Sequence, residues 1–415
     1  MNLEVIWEMP AKSHPAKIRI PAFKNADYRR LWFGAAFNQH GAGGEQVVFS
    51  LLVFQITQST AWVGITLAVY FIPLFVFGIL SGAIADWVDR RALLRGIELS
   101  FAANMTLFAA LVALGFAQLW FVMVFTLLSG ALRALHQPVR VSYAYDLVGG
   151  RQVVAGLGLL NLGSRSGQLI GAVLAGSVMH RFGVPAAFVV LAAGHAMAFV
   201  CFARLRSVGI AAVEQRTPIK QNLREYFAEL RGNGILLMLV VVTASVEVFG
   251  FSFATALPEL AITRLNLGAE GLGMMHAARA LGGIVAGLVL AFMGDMRHSG
   301  AVYLAVIFAF GTSLWFLAVD SRLALTLAAV VVVSGLAVAS DILTQSMMQL
   351  SVANRLRGRA MGVWVLAIGV APVGHIEMGA LAVSIGVDGA LFANGAVLVA
   401  IGVFIALAVP RLRRL

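Results

Sequence analysis

The sequence is poor in charge. Aspartate, glutamate, lysine and arginine make up only 12% of the 415 residues, against 60% hydrophobic residues. A soluble domain carries roughly 25% charged and about 45–50% apolar residues, and a water-soluble fold of the present composition would expose large apolar areas. The composition therefore excludes an ordinary soluble protein. It indicates an integral membrane protein whose surroundings are the lipid bilayer.

Cysteine is nearly absent as well. The single residue, Cys201, can form no intramolecular disulfide, and we expect it to be lipid-facing or packed filler. The chain has no phosphate-binding loop, which argues against an ATP-driven pump. No Ser–His–Asp order and no cluster of metal ligands stands out. We therefore expect no enzyme activity, no metal site and no cofactor.

Long apolar runs are what the sequence has in abundance. About twelve of them lie between polar breaks, and each is close to the roughly 20 residues that a helix needs to cross about 30 Å of hydrocarbon. We predict an all-α membrane protein. The predicted spans are 31–57, 60–85, 92–114, 117–139, 152–178, 184–203, 234–258, 269–293, 300–319, 322–349, 360–385 and 388–409.

Basic residues are unevenly distributed over the predicted loops. Most of the 30 lysines and arginines fall on the side of the N-terminus, whereas Arg181, Arg264 and Arg322 fall on the other side. Because positive charge stays in the cytoplasm, we expect both termini to be cytoplasmic, in a bacterial inner membrane. Topology thus explains the net charge of +11, and nucleic acid is not expected as a partner.

The longest predicted loop separates two groups of six spans. Residues 204–233 carry charges of both signs, and QNLREYFAEL within them has apolar residues at helical spacing. We predict a cytoplasmic linker with an interfacial amphipathic helix between an N-terminal bundle (31–203) and a C-terminal bundle (234–409). Residues 1–30 and 410–415 are then a cytoplasmic N-terminal segment and a basic tail.

Two short stretches recur at an offset of about 205 residues. ADWVDRR after the second predicted span corresponds to GDMRHSG after the eighth. DLVGGRQVVAG after the fourth span resembles SVANRLRGRAMG after the tenth. Internal repeats of this kind are typical of membrane transporters. The pattern therefore favours a transporter built from two related halves.

The stretch GAIADWVDRR resembles the loop motif of the major facilitator superfamily, written G-x-x-x-D-(R/K)-x-G-R-(R/K). It matches the motif at Gly82, Asp86, Arg90 and Arg91, and departs from it at Trp87 and Asp89. FKNADYRRLWFGAAFNQHG, LLVFQITQSTAWVG and NRLRGRAMGVW are similar to the exporter branch that includes enterobactin-type siderophore exporters and macrolide efflux proteins.

This resemblance implies the major facilitator fold, with about 12 helices in two six-helix pseudo-symmetric halves, and alternating access by a monomer. It also implies that Asp86 caps the start of span eleven, where an anion is stabilised by free N–H groups. The alternative is that these charges only anchor the loop at the headgroups. The implied cytoplasmic gate comprises Gly82, Asp86, Arg90, Arg91, Asp295 and Arg359.

Several ionisable residues lie at membrane depth, where they cost about 2.5–3.5 kcal/mol on insertion scales and by default mark function. We assign five to a cavity for substrate and protons: Glu45, Arg133, Arg165, Glu247 and Arg279. By resemblance, Glu45 and Glu247 lie on cavity-lining spans, and Arg133 is similar to the span-four base of drug–proton antiporters. The alternative is a fixed ion pair, for instance Glu247 with Arg279, that only locks the packing.

Four further ionisable residues are secondary candidates. His136 and Asp341 occupy matching places in the repeat, as a gate pair or as two unrelated packing solutions. His375 and Glu377 are two residues apart and cannot share a helix face, so no metal site is expected there.

Small residues predict where helices meet and bend. NLGSRSGQLIGAVLAG on span five has glycines near four-residue spacing, which predicts close helix contact. Pro372 predicts a bend in span eleven.

Together these features predict a secondary active transporter, driven by protons, that exports a small molecule such as a siderophore or drug-like compound. Import by proton symport and a non-transporting receptor or assembly factor are the alternatives. An anionic siderophore would suit Arg165 and Arg279, whereas a cationic drug would suit Glu45 and Glu247. The sequence leaves the substrate open.

Overall fold

The computed structural model describes residues 21–87, 89–148, 153–208, 231–293, 299–319, 322–352 and 357–408. Within these ranges all regular structure is helical. The helices are α1 (Ala26–Thr57), α2 (Thr60–Trp87), α3 (Arg90–Ala113), α4 (Leu119–Val148), α5 (Val153–Ala203), α6 (Gly234–Phe249), α7 (Gly268–Met293), α8 (Ser299–Val319), α9 (Leu323–Leu350), α10 (Arg357–Ile368) and α11 (Ala371–Ala408). After α6 the chain continues through a 3-10 turn (Phe251–Ala256) to a π-helical turn (Leu260–Arg264).

Eight helices in the described part of the chain are long and apolar enough to cross a membrane. Two of them span 48 and 45 residues, which as straight helices would measure roughly 70 Å, more than twice the bilayer core. Each is broken by a glycine in the left-handed region, Gly183 (φ 82°) in α5 and Gly386 (φ 78°) in α11. Each therefore comprises two membrane-length segments that turn at the glycine.

Helix α1 covers the first predicted span but is not among those eight helices. Its buried positions include Asn38, Gly41, Gly43, Gly44 and Glu45, so the buried side is small and polar in the middle of α1, whereas the buried residues from Val47 to Phe54 are mostly apolar. Because these residues contact other helices rather than lipid, α1 does not need the apolarity of a lipid-facing span.

Two asparagines cap corresponding helices. The Asn25 side chain accepts a hydrogen bond from the Asp27 amide at the start of α1 and donates one to the Leu147 carbonyl (3.1 Å) at the end of α4. Asn233 caps α6 in the same way and donates to the Ser351 carbonyl (3.0 Å) just after α9. The two arrangements lie about 205 residues apart, which agrees with the offset of the predicted repeat.

The glycines of span five pack against α1, as predicted. A Cβ on Gly167 would overlap the Ala36 carbonyl, and one on Gly171 would overlap the His40 carbonyl. In the other direction, a Cβ on Gly43 would overlap the Gln168 carbonyl. The backbones of α1 and α5 are therefore in direct contact, which side chains larger than hydrogen would prevent.

Early and late parts of the chain also meet through small residues. Gly176 of α5 lies against Gly273 of α7, and Gly379 of α11 lies against Ala61 of α2. The hydroxyl of Thr60 donates to the carboxylate of Glu259. These contacts lie at the end of the bundle that holds the α1–α2 turn, and they hold α2 to α11 and α5 to α7 there.

Two helix boundaries can be compared with the predictions for the fourth span and for the bend at Pro372. The fourth predicted span ends at residue 139, but α4 passes through Pro138 and continues to Val148. Its last turns are held by the Arg140–Ser164 hydrogen bond and by the Tyr143 hydroxyl, which donates to the Ser207 carbonyl. The bend predicted from Pro372 is found as a break between α10 and α11, just before that proline.

Candidate functional site

A cluster of buried polar side chains lies between α1, α3, α4 and α5. Glu45 has no exposed surface. Its carboxylate lies 3.3 Å from Nη2 of Arg133 and 3.2 Å from Nε2 of His195. Arg133 also donates to Oδ1 of Asn38 (2.7 Å) and to the Tyr70 hydroxyl (3.2 Å). One arginine thus joins three helices around a single carboxylate.

Glu98 of α3 is the second carboxylate of this cluster and is also fully buried. Its Oε2 lies 2.9 Å from Nδ1 of His195, and its Oε1 accepts a hydrogen bond from Asn38 (2.6 Å). Nε2 of His136 lies 3.1 Å from Oε1 of Glu98, but it is not aligned for a hydrogen bond. We therefore treat that contact as electrostatic. His195 consequently lies between two carboxylates.

The position of His195 determines where a proton is held. A neutral imidazole has only one N–H donor, yet both ring nitrogens of His195 face carboxylate oxygens. Both contacts are hydrogen bonds only when the ring is an imidazolium or when one carboxylate is protonated. The charges of Glu45, Glu98, Arg133 and His195 sum to zero whether this proton lies on the ring or on a carboxylate, and the imidazole is the more basic of these groups. An unbalanced buried charge is costly, and this proton balances the four side chains.

Helical spacing and aromatic packing fix the geometry of the cluster. Asn38, Gly41 and Glu45 share one face of α1 because they are three and four residues apart. A Cβ on Gly41 would overlap the His195 ring, so this glycine makes room for the imidazole. Phe101 of α3 stacks on His195, with centroids 4.4 Å apart, and lies 4.6 Å from Cζ of Arg133. Both cationic groups therefore have the same aromatic ring as a neighbour.

A narrow pocket adjoins the cluster at Glu45. It is lined by Glu45, Gln46, Phe49, Ser50, Thr66, Leu67, Tyr70 and Thr126. Glu45 and Tyr70 thus belong both to the polar cluster and to the pocket wall. A water in this pocket would lie beside the group that shares the His195 proton.

The seam between α1, α5 and α7 holds the other two cavity arginines. Arg279 donates to Oε1 of Gln46 (3.1 Å), contacts Nδ1 of His276 (3.2 Å) and has its Cζ 5.4 Å from the Phe253 ring centroid. The Arg165 guanidinium lies against Gly283, one helical turn beyond Arg279. Within the described residues neither arginine forms an ion pair with a carboxylate.

The structure does not bring Glu247 into either group. Its side chain has no hydrogen bond or ion pair with any described residue, so the alternative pair of Glu247 with Arg279 is not formed. Asp341 accepts hydrogen bonds from Trp364 (3.0 Å) and Gln345 (3.1 Å). It does not pair with His136, which lies beside Glu98.

His375 and Glu377 have separate partners, in agreement with their spacing. His375 is hydrogen-bonded to Thr255 (2.9 Å) and stacks on Phe71 of α2, with centroids 5.2 Å apart. Glu377 accepts a hydrogen bond from Asn394 (3.2 Å). In the part of the chain that the structure describes, no group of three or more His, Cys, Asp or Glu side chains is arranged to hold a metal ion.

The predicted gate lies largely outside the described residues. This holds for the side chains of α2 from residue 77 onward, which include Gly82 and Asp86, and for Asp295 and the Arg359 side chain. Most of the predicted linker, residues 209–230, is likewise outside them. Arg90 forms an ion pair with Asp146 (2.6 Å), and Arg91 forms one with Asp89 (3.1 Å).

Glu98 and His195 are not among the site residues predicted from the sequence. The partners of His195 lie 97 and 150 residues away along the chain, so no local spacing connects them. The available signal was Gly41, one turn before Glu45 on α1, because a glycine on a polar helix face indicates that another group approaches there.

Comparison with known proteins gives the family. The family model described as transmembrane secretion effector matches residues 19–414. The staphyloferrin A transporter of Staphylococcus aureus is 24% identical over 275 residues, which cover 65% of this chain and 68% of that protein.

Solved transporters share the fold. The peptide transporter POT in complex with sulfate is 15% identical, with coverage of 94% of this chain and 95% of that chain and a TM-score of 0.74. The nucleoside transporter NupG is 13% identical, with 93% and 98% coverage and a TM-score of 0.71. At these identities the likeness concerns the fold alone. The chain belongs to the transmembrane secretion effector family of the major facilitator superfamily, and it is a multi-pass membrane transporter, not an enzyme.

Proposed function

We propose that this transporter exports a small molecule, a siderophore or a drug-like compound, in exchange for protons across the bacterial inner membrane. In this proposal the chain crosses the membrane about twelve times, in two six-helix halves (31–203 and 234–409) joined by the linker 204–233. Both termini are cytoplasmic, the protein acts as a monomer, and the proton gradient is the energy source. The matching Asn25 and Asn233 caps support the division into halves.

The observation that carries the proposal is the position of His195 between Glu45 and Glu98. This arrangement holds one proton that is balanced by the surrounding charges and lies one side chain away from the pocket. A group of this kind can exchange its proton when the pocket opens to water or accepts a charged substrate. Proton coupling follows if the pocket opens to the two sides of the membrane in turn.

The packing of the helices supports alternating access. α2 contacts α11, and α5 contacts α7, through glycines at the end of the bundle that holds the α1–α2 turn. Contacts between small residues can separate without disrupting large side chains. In the proposed cycle these contacts open when the gate at the opposite end, assigned to Asp86 and its partners, closes.

The comparisons support export of a siderophore-like molecule. The matching family is described as a secretion effector, and the curated relative is named for transport of staphyloferrin A. Import by proton symport is the second candidate, because the same buried proton site would serve either direction.

Transport in proteoliposomes tests the proposal. The substrates are staphyloferrin A and any compound that accumulates in cells lacking the gene. With protein of known orientation, a proton gradient should drive substrate toward the side of higher proton concentration in the wild type. Movement of substrate together with protons would establish symport instead. No response to the gradient in either direction would overturn proton coupling.

A further inference from the structure

We propose that Arg165, Arg279 and His276 form a binding site for an oxyanion group, a carboxylate of the transported substrate. The site lies in the seam between α1, α5 and α7, next to the pocket. The identification of the anion as substrate rests on the proposed transport function. The site itself rests only on the geometry of these three side chains.

The seam between α1, α5 and α7 holds more positive than negative charge in direct contact. Arg279 is hydrogen-bonded to the neutral groups Gln46 (3.1 Å) and His276 (3.2 Å), and Arg165 lies against Gly283. Neither guanidinium forms an ion pair with a carboxylate among the described residues, and only Arg165 is attracted by a more distant carboxylate, that of Asp341. Charged groups at membrane depth normally pair with one another, so two adjacent cations that no described carboxylate contacts are suited to an anion that the substrate supplies.

The contact with Arg279 defines the tautomer of His276. A guanidinium can only donate hydrogen bonds, so Nδ1 of His276 accepts from Arg279 and the ring hydrogen of the neutral imidazole is on Nε2. His276 is only 6% exposed, and its Nε2 has no hydrogen-bond partner among the described residues. A buried N–H without an acceptor is rare in proteins. Beside the two guanidinium groups, the seam therefore has a buried donor that lacks a described acceptor.

Position on the helix brings these donors together. His276, Arg279 and Gly283 lie on one face of α7 at spacings of three and four residues. The guanidinium of Arg165, which belongs to α5, lies against Gly283. Phe253 lies under Arg279, which limits that guanidinium to one open face. Planar guanidinium groups bind carboxylates through paired hydrogen bonds. A substrate with two or more carboxylates would fit better than one with a single carboxylate.

The site is connected to the proton cluster through adjacent residues of α1. Gln46 accepts the Arg279 hydrogen bond and also lines the pocket, while its neighbour Glu45 binds His195 and Arg133. An anion that binds the Arg279 guanidinium would compete with Gln46 for its hydrogen bond. Substrate binding would thereby act directly on the helix turn that holds the proton-sharing carboxylate.

Thermal unfolding of the purified full-length protein in detergent tests the site. The probes are citrate, its neutral triethyl ester and sulfate, all at matched ionic strength. Citrate should raise the unfolding temperature of the wild type, and triethyl citrate should not. In Arg165→Gln and Arg279→Gln the apparent affinity for citrate should fall by roughly ten- to a hundredfold, as expected for lost hydrogen bonds between charged groups.

Two variants serve as controls. Arg181→Gln removes a positive charge from an exposed position and should bind citrate as the wild type does. Arg279→Lys keeps the charge and should bind more tightly than Arg279→Gln. If sulfate stabilises the protein less than citrate does, the site is assigned to substrate carboxylates. If the two stabilise it equally, the site is assigned to free inorganic anions. Either result supports the site, because binding of either anion depends on the arginines.

Equal stabilisation by citrate and its ester in the wild type would overturn the proposal, even if no variant folds. So would an unchanged citrate affinity in both glutamine variants. Because binding is measured without a membrane or gradient, its outcome is independent of proton coupling. Citrate binding without gradient-driven transport would overturn only the coupling, and gradient-driven transport without citrate binding would overturn only the anion site.

Discussion

The ionisable residues of the early helices differ in kind from those of the late helices. On α1, α3, α4 and α5, Glu45, Glu98, Arg133 and His195 form one connected and charge-balanced group. On α6, α9 and α11, Glu247 has no hydrogen bond or ion pair among the described residues, and the hydrogen bonds of Asp341 and Glu377 there come from neutral side chains. Among the described residues, the early helices thus hold a connected ionic cluster that the late helices lack. In the proposed mechanism, protons are handled in the early helices.

The largest expected effect comes from Glu45 and its counterpart Glu247. Glu45→Gln removes a carboxylate that shares the His195 proton, so gradient-driven transport should be lost, while exchange of substrate without a gradient should survive. Glu247→Gln should keep most of the gradient-driven transport, because Glu247 belongs to neither group. The measurement is proteoliposome flux with and without a pH gradient. The opposite result, with loss in Glu247→Gln alone, would place coupling in the late helices.

A large effect on stability is expected at Glu98. Glu98→Ala leaves the buried His195 and its proton without one of their two carboxylates, and breaking a buried charge pair costs about 3–5 kcal/mol. Glu377→Ala removes only a hydrogen bond to Asn394 and should cost about 1 kcal/mol. Unfolding in mixed micelles with increasing dodecyl sulfate measures both. Equal costs for the two variants would mean that Glu98 is not part of a charged cluster.

An intermediate effect is expected from adding a methyl group at Gly41. The new Cβ would overlap the His195 ring, and overpacking of this kind costs about 1–3 kcal/mol. Gly158→Ala is the matched control, because nothing lies within 4 Å of a Cβ there; it should be neutral or stabilise α5 by about 0.5–1 kcal/mol. The same unfolding assay distinguishes them. A harmless Gly41→Ala would show that the His195 ring is not held against α1.

The smallest effects are expected at the two helix caps, one in the early part of the chain and one in the late part. Asn25→Ala and Asn233→Ala each remove a helix cap and a hydrogen bond to a distant carbonyl. Each should cost about 1 kcal/mol, and the two costs should be similar. A double variant whose cost is the sum of both would agree with independent, equivalent sites. A cost at only one of the two positions would argue against their equivalence.

The sequence predicted the helices better than the site. Apolar runs located the membrane helices to within a few residues for most of the chain, because each run is a local property. The sequence also indicated Glu45 and Arg133 as site residues, and the structure places these two side chains in contact. Local patterns could not connect Glu98 with His195, nor Arg165 with Arg279 and His276, since those contacts depend on how α3, α5 and α7 pack. Glu247 and Glu45 are both acids at membrane depth on spans predicted to line the cavity, yet their surroundings differ.

The proton on His195 can be observed directly. Nuclear magnetic resonance of the purified protein with ¹⁵N-labelled histidine distinguishes a ring with two N–H groups from a ring with one, and His195→Asn assigns the signal. We expect the signal of a doubly protonated imidazole at neutral pH, and this signal should be absent from the variant. A singly protonated His195 would contradict the arrangement of one imidazolium between two carboxylates.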